Sequence, residues 1–174
     1  MFEIYLLDAA FFIQTADKNE NEDAFLRAAI FYLASAVEAY VNDIAILADN
    51  QKVKFSISEQ DFLNDRQKYV NVGKAMEETK VKNSSISEKL KYLAKKHPRD
   101  GVDILGSQAW ENYLRFKSFR NRLVHPKADA ENITNTELFE AADEGLKSIV
   151  KLLSMFSKCI FNKPLRPRLL ELIE

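Results

Sequence analysis

The sequence predicts an all-α fold, and three observations support this prediction. Gly and Pro together account for only 8 of the 174 residues (4 and 4), which disfavours turn-rich sandwiches and barrels. Apolar side chains recur at helical spacing in several long segments. Convincing strand alternation is absent, and the nearest strand candidate, residues 53–57, is too short to support a sheet alone. The length suits one domain with a genuine hydrophobic core.

The N-terminal part predicts two helices. Residues of about 2–17 carry apolar side chains at helical spacing. A second helix of about 25 residues follows, with Asn21 as a plausible N-cap. Its apolar positions alternate steps of four and three: Leu26, Ile30, Leu33, Val37, Tyr40, Ile44 and Leu47. Such a stripe packs at a shallow angle against another long helix.

The middle, about residues 50–105, is less regular and predicts a small helical insertion. Ser58 is placed to cap a short helix of about residues 59–70. Ser85 and Glu88 have the spacing of a capping box and open another helix. The dipeptide at His97 and Pro98 ends that helix, because proline disfavours the α conformation of the residue before it.

Two long helices follow the insertion. Ser107 caps the first, which runs to Val124 and is stopped by Pro126. Thr134 and Glu137 form the capping box of the last, whose seam comprises Leu138, Ala142, Gly145, Ile149, Leu152, Phe156 and Cys159. The tail, residues 163–174, is predicted to form either a short helix or a solvated arm. We therefore expect one domain, 1–174, with core helices in about 2–49 and 107–162.

Composition excludes several classes of function. The net charge is −1, so no global field directs the chain to nucleic acid or to anionic lipid. One cysteine and two histidines make a poor metal set, and neither a dinucleotide fingerprint nor a P-loop occurs. We expect no metal and no cofactor. The acidic start and the short apolar stretch at about 28–37 predict a cytoplasmic protein without a membrane partner.

Local charge is more informative than net charge. Residues 80–100 include seven basic and two acidic residues, which gives this segment a local charge of +5. A solvated helix face is one interpretation. The other is a patch that contacts RNA phosphates, for which the candidates are Lys91, Lys95 and Lys96.

The strongest candidate site is at residues 119–126. Asn121 and His125 are four residues apart and share a helix face, and Pro126 biases His125 out of the α region, which lets its imidazole approach Arg120. The surrounding charge is +4, from Arg115, Lys117, Arg120, Arg122 and Lys127 against Glu111. The alternative is a structural role, in which cations at a helix C-terminus complement the helix dipole and cap its carbonyls.

The residue types at this site suit a phosphodiester. Histidine titrates near pH 6.5 (about the value in model peptides) and moves protons at neutral pH. Arginine binds a phosphate bidentately and stabilises the charge that grows in the transition state. Asparagine orients the imidazole or a phosphate oxygen. No carboxylate cluster lies beside them in sequence, which favours metal-free chemistry with a ribose 2′-hydroxyl as nucleophile.

Arg120, Asn121 and His125, placed in the helix before the last long one, resemble the signature of the HEPN superfamily (higher eukaryotes and prokaryotes nucleotide-binding domains). Residues 34–42 of the second helix are also similar to the corresponding helix of this family. The resemblance implies a four- to five-helix up-down bundle that forms a homodimer. It implies a metal-independent endoribonuclease, a toxin or defence enzyme, that leaves a 2′,3′-cyclic phosphate and a 5′-hydroxyl.

The same resemblance assigns roles. His125 would be the acid or base, Arg120 the transition-state stabiliser and Asn121 the orienting group, with Glu38 and Arg122 in support. Glu38 has plainer alternatives, a place at the dimer seam or an ion pair with Arg120. The expected RNA contacts are Arg115, Lys117, Lys127, Lys91, Lys95 and Lys96.

The partners implied are RNA, a second copy of the chain and an antitoxin. One subset of the family pairs with nucleotidyltransferase antitoxins and carries a tyrosine where this chain has Lys127. The absence of that tyrosine argues against regulation through it. A nucleotidyltransferase antitoxin stays open as a partner. Two alternatives stay open: a non-enzymatic helical dimer that binds a nucleotide or protein, and an all-α structural subunit.

Overall fold

A computed structural model describes residues 1–16, 22–50, 53–71, 76–81, 84–125 and 133–173. The long helices are α1 (Phe2–Ala16), α2 (Glu22–Asp49), α5 (Gln108–Val124) and α6 (Asn135–Phe161). Between them lie α3 (Ile57–Leu63), strands β1 (Arg66–Asn71) and β2 (Met76–Val81), and α4 (Ile86–Lys96). The chain ends with α7 (Pro167–Leu170) and a 3-10 turn (Glu171–Ile173). The predominance of helix confirms the all-α class that was predicted for the bundle.

The four long helices alternate in direction. The ring of Phe2 lies 5.1 Å from that of Tyr40, and the ring of Phe12 lies 6.0 Å from that of Phe25, so α1 and α2 are antiparallel. Asn135 at the start of α6 donates a 3.2 Å hydrogen bond to Glu22 at the start of α2, so these two helices run in the same direction.

Helix α5 runs against α6, because Arg122 near its end faces Glu137 near the beginning of α6. Both α1 and α5 contact the parallel pair α2 and α6. Gly145 brings the helices close together at the centre, since a Cβ at this position would lie 2.6 Å from Cδ2 of Phe116 and 3.3 Å from Cδ1 of Leu33.

The predicted core positions and caps are largely confirmed. Six of the seven stripe residues of α2 are buried, and Leu47 is half-buried. The α6 seam is buried to Phe156, with Cys159 half-buried at its end. Both predicted capping boxes, Ser85 with Glu88 and Thr134 with Glu137, are present. The proposed cap Asn21 lies outside the described residues.

The middle segment corrects the prediction of a helical insertion. Helix α3 is capped by Ser56 rather than Ser58 and ends at Leu63, well before residue 70. Asp65 then adopts a left-handed conformation, φ 56°, a conformation that Asp and Asn tolerate better than most residues. An antiparallel hairpin follows, with Arg66 opposite Val81. Residues 53–56 are irregular, so the segment that was judged too short to support a sheet is not a strand, and the strands lie at positions that the sequence analysis did not indicate.

The C-terminal tail is docked on the bundle. Leu165 and Leu169 are buried. The carboxylate of Glu3 on α1 forms ion pairs with Arg166 at 3.2 Å and with Arg168 at 2.7 Å. The alternative of a solvated arm was therefore wrong for residues 165–173.

Helix α2 is long and apolar enough, by length and composition, to cross a membrane: an 18-residue window within Glu22–Leu47 has a mean hydropathy of 1.4. A central core helix has the same composition, because its buried face must be apolar. In this structure α2 contacts α1, α5 and α6.

Candidate functional site

Helix α5 presents the predicted catalytic residues at its C-terminal end. The Ser107 side chain caps its first turn by accepting from the Trp110 backbone N–H at 3.2 Å. His125 is the C-cap, with φ −125° and ψ 67°, and its backbone N–H donates to the Asn121 carbonyl at 3.0 Å. The predicted departure of His125 from the α region is thus confirmed. Pro126, to which we attributed it, lies outside the described residues.

Arg120 is held where α5 faces α2. Its guanidinium carbon lies 5.9 Å from the centre of the Phe31 ring, within cation–π range. Its Nη1 is 3.4 Å from the Asn121 side-chain oxygen, a long hydrogen bond. Its Nε is buried without a hydrogen-bond partner among the described residues. A buried charged donor without a partner is uncommon, and it points to a water, a ligand or a partner protomer that completes its hydrogen bonding.

Arg120 and Asn121 line a groove of about 140 Å³ between α2 and α5, together with Glu38 and Lys117. The ion pairs of the described residues do not join Glu38 to Arg120, so the suggested intrachain pair is not formed there. A carboxylate from α2 and a guanidinium from α5 in one groove offer an acceptor and a donor to the same ligand.

The His125 imidazole is exposed at the helix end. The hydrogen bonds of the described residues do not link its ring to Arg120 or to Asn121. The helix therefore brings the three signature residues within two turns of each other, without a hydrogen bond between the imidazole and the guanidinium among the described residues.

The other basic residues of α5 either make an internal hydrogen bond or line a different groove. Lys117 donates from Nζ to the Ser87 hydroxyl at 2.8 Å, which fastens α5 to α4. Arg115 and Arg122 line a separate groove of about 270 Å³ with carboxylates of α6. Arg122 is 3.8 Å from Glu137 and stacks over Phe119. Of these three, Lys117 alone shares a groove with Arg120, and its amine is already engaged.

Two of the four lysines of α4, Lys89 and Lys96, form ion pairs within the protein. Lys96 pairs with Glu59 at 2.7 Å, and the Tyr92 hydroxyl also donates to Glu59. The hydrogen bonds from Lys96, Tyr92 and the Ser56 backbone lower the pKa of Glu59 to about 2. The ring of Tyr92 packs against that of Phe62 at 5.2 Å.

Lys91 and Lys95 remain exposed, and the ion pairs of the described part of the chain do not include them. They stay the better RNA-contact candidates of α4. Lys127, predicted to contact RNA from the α5–α6 connection, lies outside the described residues.

Sequence reasoning missed a second cluster, at the other end of the bundle. His97, Lys54 and Lys163 line one cavity, although they are far apart in the chain. Nothing in the sequence pattern joins them, since each follows a different helix end.

No protein-family model, no curated protein and no solved structure matches this chain. In the part of the chain that the structure describes, no group of three or more His, Cys, Asp or Glu residues is placed to hold a metal ion.

Proposed function

We propose that this chain is a metal-independent endoribonuclease of the HEPN type, acting in the cytoplasm as a toxin or defence enzyme. The observation that carries the proposal is the state of Arg120. Its guanidinium lies at a groove wall with a buried Nε that has no partner among the described residues, next to Asn121 and five residues before an exposed His125.

The chemistry follows from these groups. The ribose 2′-hydroxyl attacks the adjacent phosphorus, the 2′-oxygen–phosphorus bond forms, and the bond to the 5′-oxygen breaks. One imidazole takes the 2′-hydroxyl proton, and an imidazolium gives a proton to the departing 5′-oxygen. Arg120 stabilises the negative charge that grows on the phosphoryl oxygens, and Asn121 orients one of these oxygens. The products are a 2′,3′-cyclic phosphate and a 5′-hydroxyl.

A homodimer supplies what one chain lacks. Each protomer brings one histidine to this end of α5, and a single imidazole serves poorly as both base and acid in one step. A twofold axis beside the α2–α5 groove would bring a second His125 to it. Phe31, which contacts Arg120 and is 42% exposed, provides an apolar surface there for the partner protomer.

The test is RNA cleavage in EDTA by Arg120→Ala and His125→Ala proteins. We expect each change to reduce cleavage at least about 100-fold, the usual effect of losing a charge-stabilising donor or an acid–base group. The same variants should relieve growth inhibition on expression. Arg27→Ala is the matched control, because this arginine lies on α2 and pairs with Asp23 at 2.8 Å. Full cleavage by His125→Ala would overturn the proposal.

One observation favours a second candidate function. Within one chain the hydrogen bonds of the described residues do not connect the His125 imidazole to Arg120. That arrangement suits a non-enzymatic dimer whose groove binds a nucleotide or a protein. In this case wild-type protein binds RNA in EDTA without cutting it, and Arg120→Ala weakens binding.

A further inference from the structure

The end of the bundle opposite Arg120 contains a cavity of about 660 Å³. It lies where the chain leaves α2 and where α6 ends. Ile86, at the start of α4, lines the Arg120 groove, and His97, the C-cap of the same helix, lines this cavity. A separation of 11 residues corresponds to roughly 16 Å along a helix axis, and the two sites have no lining residue in common among the described residues. The two sites are therefore physically separate.

Charge distinguishes this cavity from three other grooves that the described residues form. Its walls combine the apolar Val53, Ile160 and Phe161 with the basic Lys54, His97 and Lys163. Carboxylates line each of the other three grooves: Glu137, Glu140 and Glu144 in one, Glu38 in the second, and Glu38 with Asp43 in the third.

The basic groups of the cavity are not neutralised internally. The ion pairs of the described residues do not include Lys54 or Lys163, and both side chains are exposed. Each ammonium therefore has three N–H donors for a ligand. Two exposed lysines in a cavity with apolar lining residues suit an anion carried on an apolar body.

His97 adds the third observation. Its ring packs edge-on against Phe55 at 5.6 Å, and its Nε2 is buried without a hydrogen-bond partner among the described residues. A buried nitrogen that lacks a partner is uncommon and points to a ligand or water that completes the site. Burial and the neighbouring Lys96 lower the pKa of His97, while Glu59 opposes this effect.

We propose that this cavity binds a small phosphorylated ligand with an apolar or aromatic body. Lys54 and Lys163 hold the phosphate through charge-assisted hydrogen bonds, and the Phe161 wall contacts the apolar part. The site is independent of the proposed nuclease groove, and neither proposal requires the other.

Phenyl phosphate is the probe, and the readout is the NMR signal of the His97 imidazole. The chain has two histidines, so a His125→Gln variant leaves one imidazole signal and assigns it. We expect phenyl phosphate to shift the His97 signal saturably and to raise its apparent pKa, because a bound dianion favours the imidazolium despite Lys96, Lys54 and Lys163. Inorganic phosphate should bind more weakly, and benzyl alcohol should not shift the signal.

The Lys54→Gln, Lys163→Gln double variant should weaken phenyl phosphate binding about tenfold or more, as expected for the loss of charged hydrogen bonds. The control double variant, Lys147→Gln with Lys151→Gln, removes the same charge from the exposed face of α6 and should bind normally. Equal weakening in both variants, or a His97 signal that phenyl phosphate leaves unmoved, would overturn the proposal. A benzyl alcohol response equal to that of phenyl phosphate would do the same.

Discussion

The C-terminal end of α5 and the middle segment (residues 57–96, containing α3, the hairpin and α4) are both basic in sequence but use their charge differently. In the middle segment, Lys89 is 2% exposed and lies 2.7 Å from Asp65, and Lys96 is paired with Glu59. At the end of α5, the Nε of Arg120 is buried and has no hydrogen-bond partner among the described residues. A run of basic residues therefore predicts a binding surface only where the fold leaves the cations without internal carboxylates.

The largest effect is expected from the Asp65–Lys89 pair. Asp65→Asn keeps a residue that tolerates the left-handed conformation and an oxygen for the Ser84 N–H, but it leaves the buried Lys89 charge uncompensated. We expect the free energy of unfolding to fall by about 3 kcal/mol, because breaking a buried pair costs more than the pair contributes. Urea denaturation measures the change.

The control for this prediction is Lys89→Met combined with Asp65→Asn, which removes both charges. This double variant should recover much of the lost stability, since no buried charge is left unpaired. A change below about 0.5 kcal/mol for Asp65→Asn, the usual range for surface substitutions, would show that the pair does not stabilise the segment.

An intermediate effect is expected from acid. The pKa of Glu59 is lowered from 4.5 to about 2, so its carboxylate contributes stability above pH 4.5 that is lost as the pH falls toward 2. We expect the urea midpoint of the wild type to drop between pH 5 and pH 3. The urea midpoint of Glu59→Gln should be lower than that of the wild type at pH 5 and should decrease less between pH 5 and pH 3. The decrease for Tyr92→Phe should lie between those of the wild type and Glu59→Gln. Identical pH dependence in wild type and Glu59→Gln would contradict this assignment.

The smallest effect is expected from the exposed lysines of α4. Reversing charge at Lys91 and Lys95 should weaken RNA binding and reduce the slope of log affinity against log salt by about 0.7 per lost contact. Lys147→Glu with Lys151→Glu, on α6, changes the net charge equally and is the control. Unchanged affinity would mean that α4 contributes no RNA contact.

The helices of the bundle were predictable because their signals are local. The apolar stripe of α2 and the capping boxes at Ser85 and Thr134 need only neighbours within one or two turns, and the structure has them as expected. The hairpin was missed because its strands follow a left-handed Asp65, whose carboxylate is fixed by Ser84 and Lys89 from 19 and 24 residues away. The geometry that stabilises this corner is absent from the local pattern.

The candidate site was predictable in composition but not in arrangement. Spacing places Arg120, Asn121 and His125 on one helix end, and the structure confirms that position. Which basic residues accompany them depends on the neighbours of α5. Arg122 lies over the α5–α6 groove, 3.8 Å from Glu137, and Lys117 is directed to Ser87.

The sequence by itself determined the helical class of this protein, the extents of its long helices and the order of residues at the end of α5. These features depend on interactions between residues that are close in the chain. Only the tertiary structure decided which charges are paired, as for Lys89 and Lys96. It alone also brought Lys54, His97 and Lys163 around one cavity. Such contacts join residues tens of positions apart, and their existence depends on how the helices pack.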